Sequence, residues 1–157
     1  MKEPQLFWQA ITTGWGDWTL IWHKPGIVQF GFGKLEVKPN WENKELKGFS
    51  EQLTRYLAGK TPAWDWPLDL QSGTPFQKQV WQAIGNIPYG STKSYADLAK
   101  ECGSPKAYRA VGGACGANPV MLIVPCHRVV GKDGKLTGFS AGLPLKTRLL
   151  ELERNGL

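Results

Sequence analysis

The run Cys102-Gly103-Ser104-Pro105-Lys106-Ala107-Tyr108-Arg109-Ala110-Val111-Gly112-Gly113-Ala114-Cys115-Gly116 sets the fold class of the second half of the chain. Gly103 stops one helix, and Ser104 with Pro105 caps and starts the next within two residues, the tight spacing of a helix-turn-helix. At about 100° per residue, the second helix gathers Ala107, Ala110, Val111, Ala114 and Cys115 on a core face and sets Arg109, Gly112, Gly113 and Gly116 opposite. Each glycine costs about 1 kcal/mol relative to alanine inside a helix. That face is nearly bare backbone carrying one long cation, which fits close approach by a nucleic-acid groove. Close packing against the protein itself is the alternative.

Upstream, the helix that Gly103 stops begins near Ser91 and aligns Tyr95, Leu98, Ala99 and Cys102, so Cys102 reads as core. Before it, Thr74 and Pro75 open a helix through about Ile84, with Phe76, Val80 and Ile84 at intervals of four, and Pro88, Tyr89 and Gly90 make a turn. The stretch from Gly59 to Thr74, punctuated by Pro62, Pro67 and Gly73, reads as a linker. It divides the chain into a domain of residues 1–70 and one of residues 71–157. In the first, Trp18 to Trp22 and Ile27 to Phe32 read as strands around a turn at Pro25 and Gly26. Lys47 to Ala58 reads as a helix that buries Phe49, Leu53, Tyr56 and Leu57 and stops at Gly59. Seven of the eight tryptophans precede residue 70, and nothing spaces them as a stacking platform, so they read as packing.

The 157 residues carry a formal charge of +6, and it is unevenly spread. Residues 1–72 hold 8 Lys and Arg against 8 Asp and Glu, and residues 73–157 hold 11 against 5, so the second half carries the whole excess. A basic half suits a polyanion, although an ordinary solvated surface has the same arithmetic. No run of about 18 apolar residues exists to span a membrane. The Met-Lys-Glu-Pro start lacks the blocks of a signal peptide, so a cytosolic or nuclear, by default cytoplasmic, protein is expected. Cys102, Cys115 and Cys126 form no disulfide framework, and with only His23 and His127 beside them no metal-binding spacing arises. Metal catalysis is not expected, and His23, beside Trp22 at a strand end, reads as a surface or packing histidine.

Downstream, Asn118-Pro119 leads into the apolar run Val120 to Val124, which reads as a strand ended by Pro125, and then into Cys126-His127-Arg128. A cysteine at a strand end is commonly a small buried filler. An adjacent histidine in a basic half gives it a second reading, as a thiolate nucleophile. Adjacent residues of an extended segment point opposite ways, so His127 needs a turn or a bridging water to assist Cys126. The last helix, Pro144 to Asn155, supplies a third member. On its wheel Glu153 falls within about 20° of the centre of the apolar face. Glu151 lies on the far side with Arg148 and Arg154. A buried carboxylate is costly without a partner, and a histidine whose tautomer it fixes is the partner at hand. A frayed last turn with Glu153 in water is the alternative.

Together, Arg109-Ala-Val-Gly-Gly-Ala114, Asn118-Pro-Val120, Pro125-Cys-His-Arg-Val-Val130 and Gly138-Phe-Ser-Ala-Gly-Leu143 closely resemble the O6-alkylguanine-DNA alkyltransferases, from about Thr74 to Glu153. Residues 1–70 are similar only in size and strand-rich pattern. The resemblance implies a ribonuclease-H-like α/β domain followed by a mainly α-helical domain with the helix-turn-helix and the active site. It implies repair of duplex DNA by direct, single-use transfer of an alkyl group from O6 of guanine to Cys126, with O4-alkylthymine as a second candidate substrate. It further implies that His127 acts through a water as the base, Glu153 orients it, Asn118 braces the active-site turn and Tyr95 donates toward the leaving base. Arg109 fills the stack when the nucleotide flips out, while Ala107, Ala110, Gly112 and Gly113 enter the minor groove. The carbonyls of Cys126 and Val129 and the amide of Ser140 read the guanine. Phe139 stands where many members carry tyrosine, and Ala141 replaces a glycine found in some, which narrows the pocket toward small alkyl groups. Some members bind zinc in the first domain; here that domain has no cysteine, so neither zinc nor any cofactor is expected. The implied partner is double-stranded DNA and the implied state a monomer, with cooperative binding along DNA as a variant of it. Lesion-binding relatives that lack the cysteine, helix-turn-helix transcription regulators and cysteine hydrolases are the competing classes. None of them calls for Cys126 with His127 and Glu153 while lacking an evident oxyanion hole.

Overall fold

Three strands rich in aromatic and β-branched residues, β1 (Phe7–Thr13), β2 (Gly16–His23) and β3 (Gly26–Phe32), pair antiparallel in sequence. A short β4 (Glu42–Asn43) runs parallel to β1, giving the sheet order β3-β2-β1-β4. This computed structural model describes residues 5–156, and the Met-Lys-Glu-Pro start lies outside the described residues. The first hairpin is closed by Thr13, whose hydroxyl donates to the Gly16 carbonyl (2.8 Å) and accepts from Trp15 N (3.1 Å) and Trp18 Nε1 (3.2 Å). The sequence pattern does not reveal β1 because its buried residues, Phe7 and Ile11, are four apart and hide the period of two.

One helix, α1 (Phe49–Leu57), buries Phe49, Leu53 and Tyr56. Phe49 meets Phe30 edge-on at 4.9 Å and also touches the Trp64 and Trp66 rings, while Trp18 stacks on Phe30 at 5.4 Å. Trp18, Trp22 and Trp81 are buried, while Trp8, Trp15, Trp41, Trp64 and Trp66 are half-buried. His23 is buried, not at the surface, and lies 2.7 Å from Asp69. This unit runs to Gln71 and takes in Pro119–Met121, whose backbone pairs with Phe30 on both sides (Phe30 N to Pro119 O 2.8 Å, Met121 N to Phe30 O 2.9 Å). A single boundary near residue 70 does not capture that return.

The second unit comprises Ser72–Asn118 and Leu122–Leu157. Its first helix, α2 (Pro75–Gly85), starts with a capping box: Thr74 Oγ1 accepts from Gln77 N (3.1 Å) and Thr74 N donates to Gln77 Oε1 (3.0 Å). Helix α3 (Tyr95–Glu101) begins four residues later than Ser91. Lys93–Ser94 instead forms β5, parallel to β6 (Val129–Val130), and Ser94 caps the helix by accepting from Asp97 N. Helix α4 (Tyr108–Gly116) also starts late, because Ser104 O accepts from Ala107 N in a turn of its own. The core face of α4 is Val111 and Ala114, whose carbonyl accepts from Trp81 Nε1 at 2.8 Å; Ala110 is exposed and Ala107 half-buried, contrary to the helical-wheel reading. Starting the helix at Tyr108 removes the turn that would have carried Ala107 inward.

The expected strand over Val120 to Val124 is absent. Val120 makes one bridge to Phe30, after which Leu122 adopts a left-handed backbone (φ 69°) and the chain turns. The run is apolar because Val120, Met121, Leu122 and Val124 are buried, and burial without periodicity does not specify a strand. Helix α5 (Leu143–Asn155) closes the unit, burying Lys146, Leu149 and Glu153. Among the described residues no helix is long and apolar enough to cross a membrane.

Gly26 is the tightest backbone position of the sheet: φ is 159° and a Cβ there would lie 2.6 Å from the Pro67 carbonyl oxygen. Gly26→Ala is expected to lower unfolding stability by about 1–3 kcal/mol. Gly14→Ala, with open space around its Cβ, should change it by less than about 0.5 kcal/mol. Urea unfolding of the two variants checks this.

Candidate active site

Cys126–Arg128 is a turn of 3-10 helix, held by Cys126 N on Val124 O (2.8 Å) and Arg128 N on Pro125 O (2.9 Å). Successive residues in such a turn diverge by about 120°, so Cys126 can face one side while His127 and Arg128 reach another. Cys126, 5% exposed, reaches a cleft of about 440 Å³ lined also by Tyr95, Tyr108, Gly112, Cys115, Gly116, Thr137, Gly138, Phe139 and Ser140. His127 and Arg128 both turn to α5.

There the carboxylate of Glu153, 1% exposed, is encircled by donors. His127 Nε2 lies 2.5 Å from Oε2, Arg128 Nε donates to Oε1 (2.7 Å), a second Arg128 nitrogen donates to Oε2 (3.1 Å), and Gly90 N donates to Oε1 (3.1 Å). Arg128 also donates to Ile87 O (2.8 Å), and its guanidinium covers the Tyr89 ring. Burial pulls the imidazole of His127 below its ordinary value, against the raising effect of Glu153, so it is neutral near pH 7. With Nε2 engaged by the carboxylate, Nδ1 carries the basic lone pair.

Asn118 braces the nucleophile side: its Nδ2 donates to Val124 O (2.8 Å) and to Cys126 Sγ (3.1 Å). Cys126 also shares a thiol hydrogen bond with Cys115. That bond eases the first ionisation of the pair, lowering Cys115, and opposes the second, holding Cys126 well above the usual thiol value. Burial raises both thiols and the Lys146 charge lowers both. The Asn118 donor on Cys126 favours the anion on that sulfur. Tyr95 keeps its proton, since burial raises its hydroxyl while a hydrogen bond with Thr137 lowers it less. Lys146, 1% exposed, donates to Thr137 O (3.0 Å) and sits 5.9 Å from the Tyr95 ring, tying down the loop that carries Phe139 and Ser140. Among the described residues no group of three or more His, Cys, Asp or Glu is placed to hold a metal ion.

The candidate residues from the sequence thus divide. Cys126, Tyr95, Gly112, Phe139 and Ser140 line one cleft, with Asn118 on the sulfur and His127 and Glu153 behind it. Arg109, Ala110 and Gly113 are exposed on α4 with Ala107 half-buried at its start. Val129 is buried in β6, opposite Lys93, and has only backbone to offer. Several residues of the site escape the sequence reading, Tyr108 and Thr137 of the cleft lining among them. Lys146 has a signal, lying about 40° from the centre of the apolar face of α5. Cys115 was placed on a core face yet opens to the cleft, and Arg128 has no local signal because its partner is 25 residues away.

The family described as 6-O-methylguanine DNA methyltransferase, DNA binding domain, matches residues 75–155. The chain is 42% identical to the methylated-DNA–protein-cysteine methyltransferase of Methanosarcina barkeri over 158 residues, covering 97% of this chain and 99% of that relative. It belongs to that family. The inducible methylated-DNA–protein-cysteine methyltransferase of Bacillus subtilis is 49% identical over 169 residues, covering 98% and 93%. The solved structure of Mycobacterium tuberculosis OGT in complex with DNA superposes with a TM-score of 0.88 at 41% identity, covering 96% of this chain and 94% of that one. The methyltransferase fold, a mixed sheet followed by helices, is therefore shared along nearly the whole chain.

Because burial lowers His127, its imidazole should protonate with a midpoint below 6.5, and neutral His127 should persist as pH falls through that value. Ring-proton NMR against pH reads this midpoint; a value above 6.5 would mean that the carboxylate outweighs burial.

Proposed function

We propose that the chain repairs alkylated DNA by direct reversal, with Cys126 as the acceptor. The observation that carries the assignment is the sulfur itself: it opens to a cleft, takes a hydrogen bond from Asn118, and is followed in the same turn by a buried His127–Glu153 pair. The Cys126 sulfur forms a bond to the alkyl carbon as the bond from that carbon to O6 of guanine breaks, and the electron pair leaves on O6. A soft sulfur anion suits attack at saturated carbon. The thioether product has no good leaving group, so each molecule acts once.

His127 takes the thiol proton through a bridging water, using Nδ1, and Glu153 fixes its tautomer. Tyr95, protonated and in the cleft, donates toward the base as negative charge grows on it. The Ser140 amide donates to O6, and the Cys126 and Val129 carbonyls accept from the guanine amino group. We read α3 and α4 as the helix-turn-helix and the first sheet, with its parallel β4, as ribonuclease-H-like. The exposed Arg109, Ala110 and Gly113, with Ala107 and Gly112 beside them, suit insertion into a minor groove about 6 Å wide, with Arg109 taking the place of the flipped nucleotide. A cytoplasmic monomer on double-stranded DNA completes the reading.

Methyl groups removed from O6-methylguanine DNA should plateau at about one per protein molecule. Cys126→Ala should remove transfer while leaving DNA binding; repeated turnover, or transfer by the alanine variant, contradicts the mechanism. Arg109→Ala should slow transfer from duplex DNA by about 10-fold or more relative to transfer from the free base O6-benzylguanine, which needs no flipping. Equal losses on the two substrates would make Arg109 a structural residue.

A further inference from the structure

Two of the three cysteines face one cleft. Cys115, in the last turn of α4, lines it together with Cys126, and each thiol shifts the ionisation of the other. Asn118 spans the pair, its backbone N donating to Cys115 O (3.2 Å) and its Nδ2 to Cys126 Sγ (3.1 Å), so the backbone segments bearing the two sulfurs are tied together. A disulfide would bring the two sulfurs to about 2.05 Å. Cys102 is buried at the end of α3 and does not line the cleft. Alkyl transfer needs one sulfur, and the proposed mechanism leaves Cys115 without a task.

We propose that Cys115 is a resolving thiol, which converts peroxide oxidation of Cys126 into a reversible Cys115–Cys126 disulfide. The Cys126 thiolate attacks one oxygen of hydrogen peroxide, the O–O bond breaks, and hydroxide leaves to become water on taking up a proton. Sulfur is oxidised by two electrons to the sulfenic acid while peroxide is reduced. The Cys115 sulfur then attacks the Cys126 sulfur, the S–O bond breaks, and the departing hydroxide takes the Cys115 proton as a second water. A dithiol reductant reverses the state by exchange, returning both thiols and becoming a disulfide itself. The linkage protects an irreplaceable nucleophile, since without a resolving partner the sulfenic acid goes on to sulfinic acid, which a thiol does not reduce.

The test treats the whole protein with hydrogen peroxide, caps remaining thiols with iodoacetamide, and digests it without reductant. The expected product carries a Cys115–Cys126 linkage and is lighter by two hydrogens than its dithiol form, with Cys102 capped. Transfer should be lost on oxidation and nearly all recovered with a dithiol. Cys115→Ser, compared with its own untreated activity, should lose transfer under the same treatment, fail to recover it, and show sulfinic acid at Cys126. Absence of the linked peptide, linkage through Cys102, or equal recovery by Cys115→Ser overturns the proposal. The peptide is read by mass alone, so a protein with no transfer activity would still reveal the linkage, and failure of the proposed function is distinguishable from failure of the disulfide.

Discussion

The second unit is organised around one buried carboxylate. An ionised Glu153 inside a protein is tolerable only when its oxygens are satisfied, and here four donors do so from His127, Arg128 and Gly90. Those donors come from two segments far apart in sequence, the turn after α2 and the turn bearing the nucleophile, and Glu153 itself comes from the last helix. Arg128 adds the Ile87 carbonyl to the set. Removing the carboxylate would leave a buried guanidinium without its counter-charge, a loss of several kcal/mol in comparable pairs. The cluster thus fixes at once the attitude of the 3-10 turn, the tautomer of His127 and the docking of α5.

Reactivity is set on the other side of the same turn. The Cys115 thiol beside it and its own burial both suppress ionisation of Cys126, and what offsets them is the Asn118 donor and the charge of Lys146. Lys146 is itself pushed down by burial, so its charge is held at some cost, and its bond to Thr137 O keeps the lining loop in place. The cleft therefore combines a suppressed but assisted thiol with a Tyr95 hydroxyl that stays protonated, an arrangement that supplies a nucleophile and a donor to one small molecule-sized space. Alongside it runs the exposed face of α4, where Gly112 lines the cleft and Gly113 is exposed, so a large partner meets bare backbone as well as the exposed Tyr108 and Arg109 side chains.

Much of this was legible in the sequence where the signal is local. The Thr74 cap, the amphipathic spacing of α1 and α2 and the place of Glu153 on its wheel follow from periodicity and capping chemistry, which act over a few residues. What was not legible depends on pairing at a distance. Lys93–Ser94 is a strand because Val129–Val130 lies beside it, and Val120 to Val124 is no strand because Phe30 claims one residue and Leu122 turns the chain. The buried state of Arg128 and the contact of Cys115 with Cys126 likewise exist only once the chain has folded. The lysine at position 146 is a different case: its wheel angle, about 40° from the centre of the apolar face, is a local signal of its burial.

The claim on which the rest depends is that the Glu153 carboxylate, through His127, makes Cys126 reactive near neutral pH. It is tested by the single-turnover transfer rate as a function of pH for Glu153→Gln and Glu151→Gln, with the folded fraction of each followed by circular dichroism. The account predicts that Glu153→Gln, while folded, loses about 100-fold in rate at neutral pH and partly recovers as pH rises toward that of an ordinary thiol, while Glu151→Gln, exposed on the same helix, changes little. An unchanged rate and profile for Glu153→Gln, or greater damage in Glu151→Gln, would contradict it.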